Sequence, residues 1–330
     1  MFLEKVEKAY GFNVESYEKI KNIYKLITDR GIYCLKVSKY DLKQYNFIIS
    51  AMNYLIDKGY EHILPIYKTI EGENYLAIDD GYAYLTDFID AKEVDFKDLT
   101  ELKMCIEAIA KLHLASRGFK YEIRIRDYYG RWIEKFKKRS SELLYFRAIC
   151  ESKDEKSEFD SIFLKYFDLH YRQSLKCLKD FETSNYFKIM ESHKRLHEIC
   201  HHDTANHNFL ITHENIVLID YDYVIMDTHL HDLASLLIRN LRYGNWDIKL
   251  FNFILNEYSR YIPITLEEIY LIFCFMEFPQ DYWQVGLQYY VEKQPWTEEN
   301  FLKRLNRVVL DAEGRFKFLS ELEGLYGKYR

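Results

Sequence analysis

A chain of 330 residues with 48% hydrophobic and 30% charged side chains has the balance of a folded globular protein, which excludes a disordered polymer. Its 12 glycines and 4 prolines fall well below the roughly 7% and 5% of average usage, so collagen-like and loop-heavy all-β architectures are excluded and helix is favoured. With 46 Lys and Arg against 52 Asp and Glu and no basic block longer than Lys137-Lys138-Arg139, nucleic acid is excluded as the main partner, because neutralising phosphates needs a clustered basic face.

The first residues after Met1, Phe2-Leu3-Glu4-Lys5-Val6-Glu7-Lys8, place charges among apolar positions, and no uncharged apolar run reaches about 18 residues. Neither a signal peptide nor a membrane span is expected. Residues 20–27 and 32–37 read as the two strands of a hairpin around Thr28-Asp29-Arg30-Gly31. An amphipathic helix follows, with Leu42, Tyr45, Ile48, Met52 and Leu55 near helical spacing and a stop at Gly59. Residues 63–70, 74–78 and 82–89 complete the strands, and a polar acidic stretch, 90–98, closes this region. Residues 1–90 are thus expected to form a small sheet-rich lobe.

Beyond residue 90 the apolar period becomes helical. Stripes at 99–116, 129–151, 162–179, 186–198, 250–261, 266–278 and 301–326 predict a helical lobe spanning 91–330. Two short β runs interrupt it, at 208–212 and 215–220. Cys34, Cys105, Cys150, Cys177, Cys200 and Cys274 are scattered without a C-x-x-C pair, as expected of reduced thiols in a cytoplasmic interior.

The informative block runs from residue 200 to 232. His201-His202-Asp203 is followed by Asn208, a hairpin, Asp220-Tyr221-Asp222, and then His231-Asp232-Leu233-Ala234. Phosphoryl transfer from a nucleotide relies mainly on positioning: an acid near the accepting hydroxyl, and oxygen ligands for Mg²⁺ ions that bridge the phosphates. Asp203 fits the first need, as the group that orients or deprotonates an acceptor. Asn208 and Asp220 fit the second, because Mg²⁺ prefers carboxylate and carbonyl oxygen. His201, Asp222 and Asp232 are expected to support the site; Asp232, opening a helix after the hairpin, would accept hydrogen bonds from the His201–Asp203 loop.

The histidines offer another chemistry. His193, His197 and His201 are spaced i, i+4, i+8, which on one continuous helix share a face, and a metallohydrolase centre would use His197, His202 and Asp203. Asp203, however, precedes strands rather than lying inside a helix. A third cluster, Tyr282, Trp283, Tyr289, Tyr290 and Trp296, is read first as helical-lobe core and second as the wall of an acceptor pocket.

The series His201, Asp203, Asn208, Asp220, Asp232 resembles the catalytic segment of the kinase-like phosphotransferases that include aminoglycoside phosphotransferases and choline kinase. Tyr33-Cys34-Leu35-Lys36-Val37 resembles that fold's third-strand lysine, which in the family pairs with the α and β phosphates. More narrowly, the chain resembles the CotS family of spore coat proteins. The resemblance is carried by Tyr33-Cys34-Leu35-Lys36, Ala110-Lys111-Leu112-His113, Phe181-Glu182-Thr183-Ser184-Asn185-Tyr186, residues 200–209, and Phe278-Pro279-Gln280-Asp281-Tyr282-Trp283.

This resemblance implies an α+β, two-lobed protein-kinase-like fold and a protein made in the mother-cell cytoplasm and carried into the spore coat among other coat proteins. It also implies ATP and Mg²⁺ as cofactors, with Lys36 on the phosphates and a small-molecule or protein hydroxyl as acceptor. The chain departs from the pattern in three places. Gly31 is the only glycine between residues 20 and 36, the helix after Lys36 carries no early acid, and His202 stands where the small-molecule kinases usually have Gly. A non-catalytic, kinase-like assembly component of the coat is therefore the alternative expectation.

Overall fold

A computed structural model describes residues 2–79, 81–123, 125–213 and 215–330. The chain folds into two packing units, Met1–Asp127 with Leu196–His229 and Tyr128–Arg195 with Leu230–Arg330. The change from strands to helices expected near residue 90 is present. The packing, however, groups 91–127 and 196–229 with the N-terminal sheet.

In the first unit a helix, α1 (Phe2–Tyr10), precedes strands β1 (Val14–Ile20), β2 (Ile23–Thr28) and β3 (Gly31–Ser38). Helix α2 (Leu42–Asp57), capped by the Asp41 carboxylate accepting from the Gln44 N–H, leads to β4 (Leu76–Ile78) and β5 (Gly81–Asp87). The strands form one antiparallel sheet in the order β1-β2-β3-β5-β4. Successive side chains alternate faces, so Leu35, opposite Leu85, is buried with Leu26, Ala83, Val6, Tyr10 and Phe12 beneath α1. Cys34, opposite Thr86, and Lys36, opposite Tyr84, lie on the other face.

Two strand expectations are corrected. Residues 20–27 are not one strand: Ile20 ends β1, Ile23 opens β2 opposite it, and Lys21 and Asn22 form the turn between them, with Lys21 in the left-handed region at φ 57°. Residues 63–70 are irregular, with an isolated bridge from Tyr67 to Leu85, because Pro65 removes a ladder donor.

The rest of this unit consists of β6 (Lys92–Glu93), α3 (Leu99–Ser116), β7 (Ile199–Cys200), β8 (Phe209–Ile211), β9 (Ile216–Leu218) and β10 (Ile225–Met226). The expected hairpin is β8–β9, with β6 added to its edge, and β7 pairs with β10. Just before β7, Glu198 is fully buried, accepting from Arg117 Nε at 3.0 Å and paired with His229 Nδ1 at 2.8 Å. Burial alone would raise its carboxyl; His229, His113 and Arg117 outweigh it and hold it at about 2.

The second unit is helical: α4 (Trp132–Glu151), α5 (Glu158–Thr183), α6 (Tyr186–Lys194), α7 (Leu230–Leu241), α8 (Ile248–Ser259), α9 (Leu266–Glu277), α10 (Gln280–Tyr290) and α11 (Glu298–Tyr326). Capping boxes at Ser157/Asp160 and Thr265/Glu268 start α5 and α9. Its core is aromatic, with Phe136, Phe159, Phe163, Phe181, Tyr186 and Tyr282 all buried. Gly286 lets α10 approach closely, since a Cβ there would lie 2.8 Å from the Phe146 ring.

Sequence periodicity missed α10. The aromatic cluster within and after it is core: Tyr282 donates to the Phe163 carbonyl, Tyr290 donates to Asp160 at 2.9 Å, and Tyr289 stacks on Phe159 with ring centroids 3.8 Å apart. All six cysteines are free thiols, five of them buried. No helix among the described residues is long and apolar enough to cross a membrane.

Candidate functional site

A cavity of about 620 Å³ opens in the first unit against the face of β3 opposite α1. Ile20, Ile23, Leu64, Phe88, Ile89 and Leu210 line it with apolar surface, and Lys36, Asn208, Asp220, Asp87 and Glu93 add charged and polar groups. Apolar walls with a few convergent polar groups are the usual make-up of a small-molecule site.

Lys36 is buried, and its ammonium lies 2.6 Å from Asp220 Oδ1 and 2.9 Å from Asp222 Oδ1. Burial would lower its pKa, but Asp222 and Asp220 outweigh burial and raise it above the ordinary lysine value. The same attraction, against the opposing effect of burial, lowers the Asp220 carboxyl. Ser38 Oγ, two residues along β3, donates to the Asp222 carboxylate at 3.3 Å. Arg126 Nη1 donates to the carbonyls of Asp222 and Val224 and fixes the backbone beyond. Asp220 has φ 65°, ψ 62°, a left-handed conformation that short acidic side chains tolerate better than most.

The loop before β8 is held residue by residue. Asn208, almost fully buried, donates from Nδ2 to the Asp203 carbonyl at 2.9 Å and to Asp203 Oδ2 at 3.0 Å, which leaves its amide oxygen as the atom suited to a cation. The Asn208 carbonyl accepts from the Ile219 N–H, and His201 Nε2 lies 2.9 Å from the Ile219 carbonyl. Asn208 and His201 therefore brace the residue before Asp220 from both sides. His202 has φ 72°, a conformation natural to the glycine it replaces in the pattern.

Lys36, Asp203, Asn208, Asp220, Asp222 and His201 thus all lie in the first unit, linked by hydrogen bonds and ion pairs or by the cavity they line. Asp232 lies in the first turn of α7, in the second unit, with its carboxylate fully buried and 3.7 Å from His231 Nδ1. The metallohydrolase expectation fails. Helix α6 ends at Lys194 and His197 is left-handed at φ 52°, so the three histidines share no helix, and His197, His202 and Asp203 do not gather ligand atoms at one point. Sequence reasoning missed Ser38 and Arg126, and it left Lys36 without an anchor. The clue was Asp222, a second carboxylate two residues after Asp220.

The sequence model of a family described as "Spore coat putative kinase YutH" matches residues 3–322. Spore coat protein S of Bacillus subtilis is 24% identical over 324 residues, covering 96% of this chain and 91% of that protein. An aminoglycoside phosphotransferase from Alicyclobacillus acidocaldarius superposes with a TM-score of 0.85 at 21% identity, covering 98% of this chain and 95% of that one. A spectinomycin phosphotransferase crystallised with ADP and spectinomycin superposes with a TM-score of 0.64 at 15% identity, covering 96% and 97%. These likenesses establish the kinase-like phosphotransferase fold.

Proposed function

The chain belongs to the YutH family of kinase-like spore coat proteins, and we propose that it is an ATP- and Mg²⁺-dependent phosphotransferase of the coat, acting on a hydroxyl of a small molecule or coat component. The observation that carries this reading is a cavity lined both by apolar side chains and by Lys36, Asn208 and Asp220. The apolar lining suits a purine ring. Lys36 moves from the two aspartates onto the phosphates. The donor set fits the metal, since the Asn208 amide oxygen and the Asp220 carboxylate are hard oxygen ligands; Mg²⁺, when bound, neutralises phosphate charge. Asn208 orients the Asp203 carboxylate through Oδ2, and Asp203 accepts the proton of the acceptor hydroxyl. That oxygen bonds to the terminal phosphorus as the bond to the bridging oxygen breaks, and ADP leaves.

Support from the relatives is of two kinds: the coat family supplies the location, and the ADP-bound spectinomycin phosphotransferase supplies the nucleotide. The test is isothermal titration of the protein with ATP, with and without Mg²⁺, alongside Asp220→Ala. Metal-dependent binding that the variant loses supports the reading. Absence of binding at millimolar ATP overturns it in favour of a non-catalytic coat component, the reading that the closed Lys36–Asp220–Asp222 ion pairs and the glycine-free β1–β2 turn favour.

A further inference from the structure

In kinase-like folds the turn after the first strand brings glycine amides to the phosphates. Here it is Lys21-Asn22, closed by Ile20 opposite Ile23 and fixed by the Asn22 carbonyl accepting from the Val37 N–H, one residue past Lys36. A two-residue hairpin turn with a left-handed first residue is made most cheaply with Asn or Gly. Lysine at φ 57° is strained, and the fold gives no return for it: Lys21 makes no hydrogen bond or ion pair among the described residues.

Lys21 and Asn22 line the 620 Å³ cavity and also an adjoining groove of about 380 Å³. Lys19, Lys39 and Ser38 line that groove as well, with Asp222 as its one carboxylate among the described residues. Asp222 is already paired with Lys36. Lys21 and Lys39 line the groove with no other acid among the described residues, although the whole chain carries a net charge of −6, while the Lys19 ammonium stands 5.3 Å from the Tyr24 ring centroid. An excess of cations in the groove that adjoins the cavity is the field a polyphosphate chain requires.

We propose that Lys21, supported by Lys39, binds the β and γ phosphates of the nucleotide through ammonium groups, in place of the backbone amides of a glycine-rich loop. The proposal rests on the nucleotide reading of the cavity. It explains why a lysine occupies a strained turn position, and it makes affinity depend on the number of phosphates and on salt, since exposed ammonium groups are screened.

The test is titration of the full chain and of Lys21→Asn and Lys21→Arg with ATP and AMP, with inorganic tripolyphosphate as competitor. Asparagine relaxes the turn, so Lys21→Asn should melt no lower than the parent while binding ATP about tenfold more weakly and AMP within twofold. Arginine should restore most of the ATP affinity. Tripolyphosphate should displace ATP from the parent, and adding Lys39→Asn to Lys21→Asn should weaken that displacement further. Equal ATP affinity in the parent and Lys21→Asn would overturn this proposal alone. Failure of the parent to bind either nucleotide would overturn it together with the reading on which it rests.

Discussion

Two regions build the candidate site by different means. The 201–222 segment is held from within: Asn208 on Asp203, His201 and Asn208 on Ile219, and Asp220 set in a left-handed backbone. The β1–β2 turn and α2 provide neither a glycine loop nor an early helix acid, and the anchor for Lys36 comes from the opposite region, as Asp220 and Asp222. Lys36, Asp220 and Asp222 thus form one electrostatic unit. In the resting protein the Lys36 ammonium sits on the carboxylate that a divalent cation would need. On the proposed function, nucleotide and cation would therefore have to enter together, each satisfying what the other displaces.

The sharpest challenge to that comparison is Asp203→Ala, which removes the acid but not the cluster. Turnover should fall by roughly 10²–10⁴ with ATP affinity kept within about threefold, measured by coupled ADP release and by titration. An unchanged rate would take Asp203 out of the base role. Next comes Lys36→Met. It leaves two neighbouring carboxylates without their cation and should cost about 2 kcal/mol in urea unfolding, besides weakening ATP binding at least tenfold. A variant as stable as the parent would break the claim of a single unit.

The pH dependence is a smaller effect with a defined sign. Because the Lys36 ammonium holds the Asp220 carboxyl below its ordinary value, the unfolded chain takes up that proton first, and acid favours unfolding. The contribution is present at neutral pH and lost as pH falls below about 4, the unperturbed carboxylate value. Melting curves from pH 7 to pH 3 should converge for the parent and Asp220→Asn at the acid end, and parallel curves would remove the ion pair from the account. His202→Gly is the mildest change. Relief of the left-handed backbone offsets removal of the imidazole, so stability should move by less than about 1 kcal/mol, whereas a fall of more than about 2 kcal/mol would show that the imidazole is a structural brace.

Much of this was legible in the sequence because its signals were local. Asp203, Asn208 and Asp220 sit at fixed spacings around a hairpin that two short apolar β runs announce, and α2, α3 and α9 start at or near their polar caps. What escaped depended on partners far along the chain. Lys36 and Asp220 are 184 residues apart, and nothing near Lys36 announces that its counter-charge lies there. Strand β1, exposed along most of its length, lacks the apolar alternation that marks a buried face, so its end at Ile20 was merged into the next strand. Helix α10 was hidden because Gly286, usually a helix weakener, is there to admit the Phe146 ring.

Strand β1 is an edge strand, and its turn lies away from the buried layer, which sits further in at Leu26, Leu35 and Leu85. Turn length is thereby uncoupled from the core. Residues can be inserted between Ile20 and Ile23 at the small entropic cost of a longer loop, whereas a single insertion in β3 would exchange the faces of Leu35 and Lys36. For an engineer, the edge hairpin is the part of the molecule where a longer, glycine-bearing phosphate loop can replace Lys21 and Asn22 at the loss of the Asn22–Val37 hydrogen bond but without disturbing the buried layer.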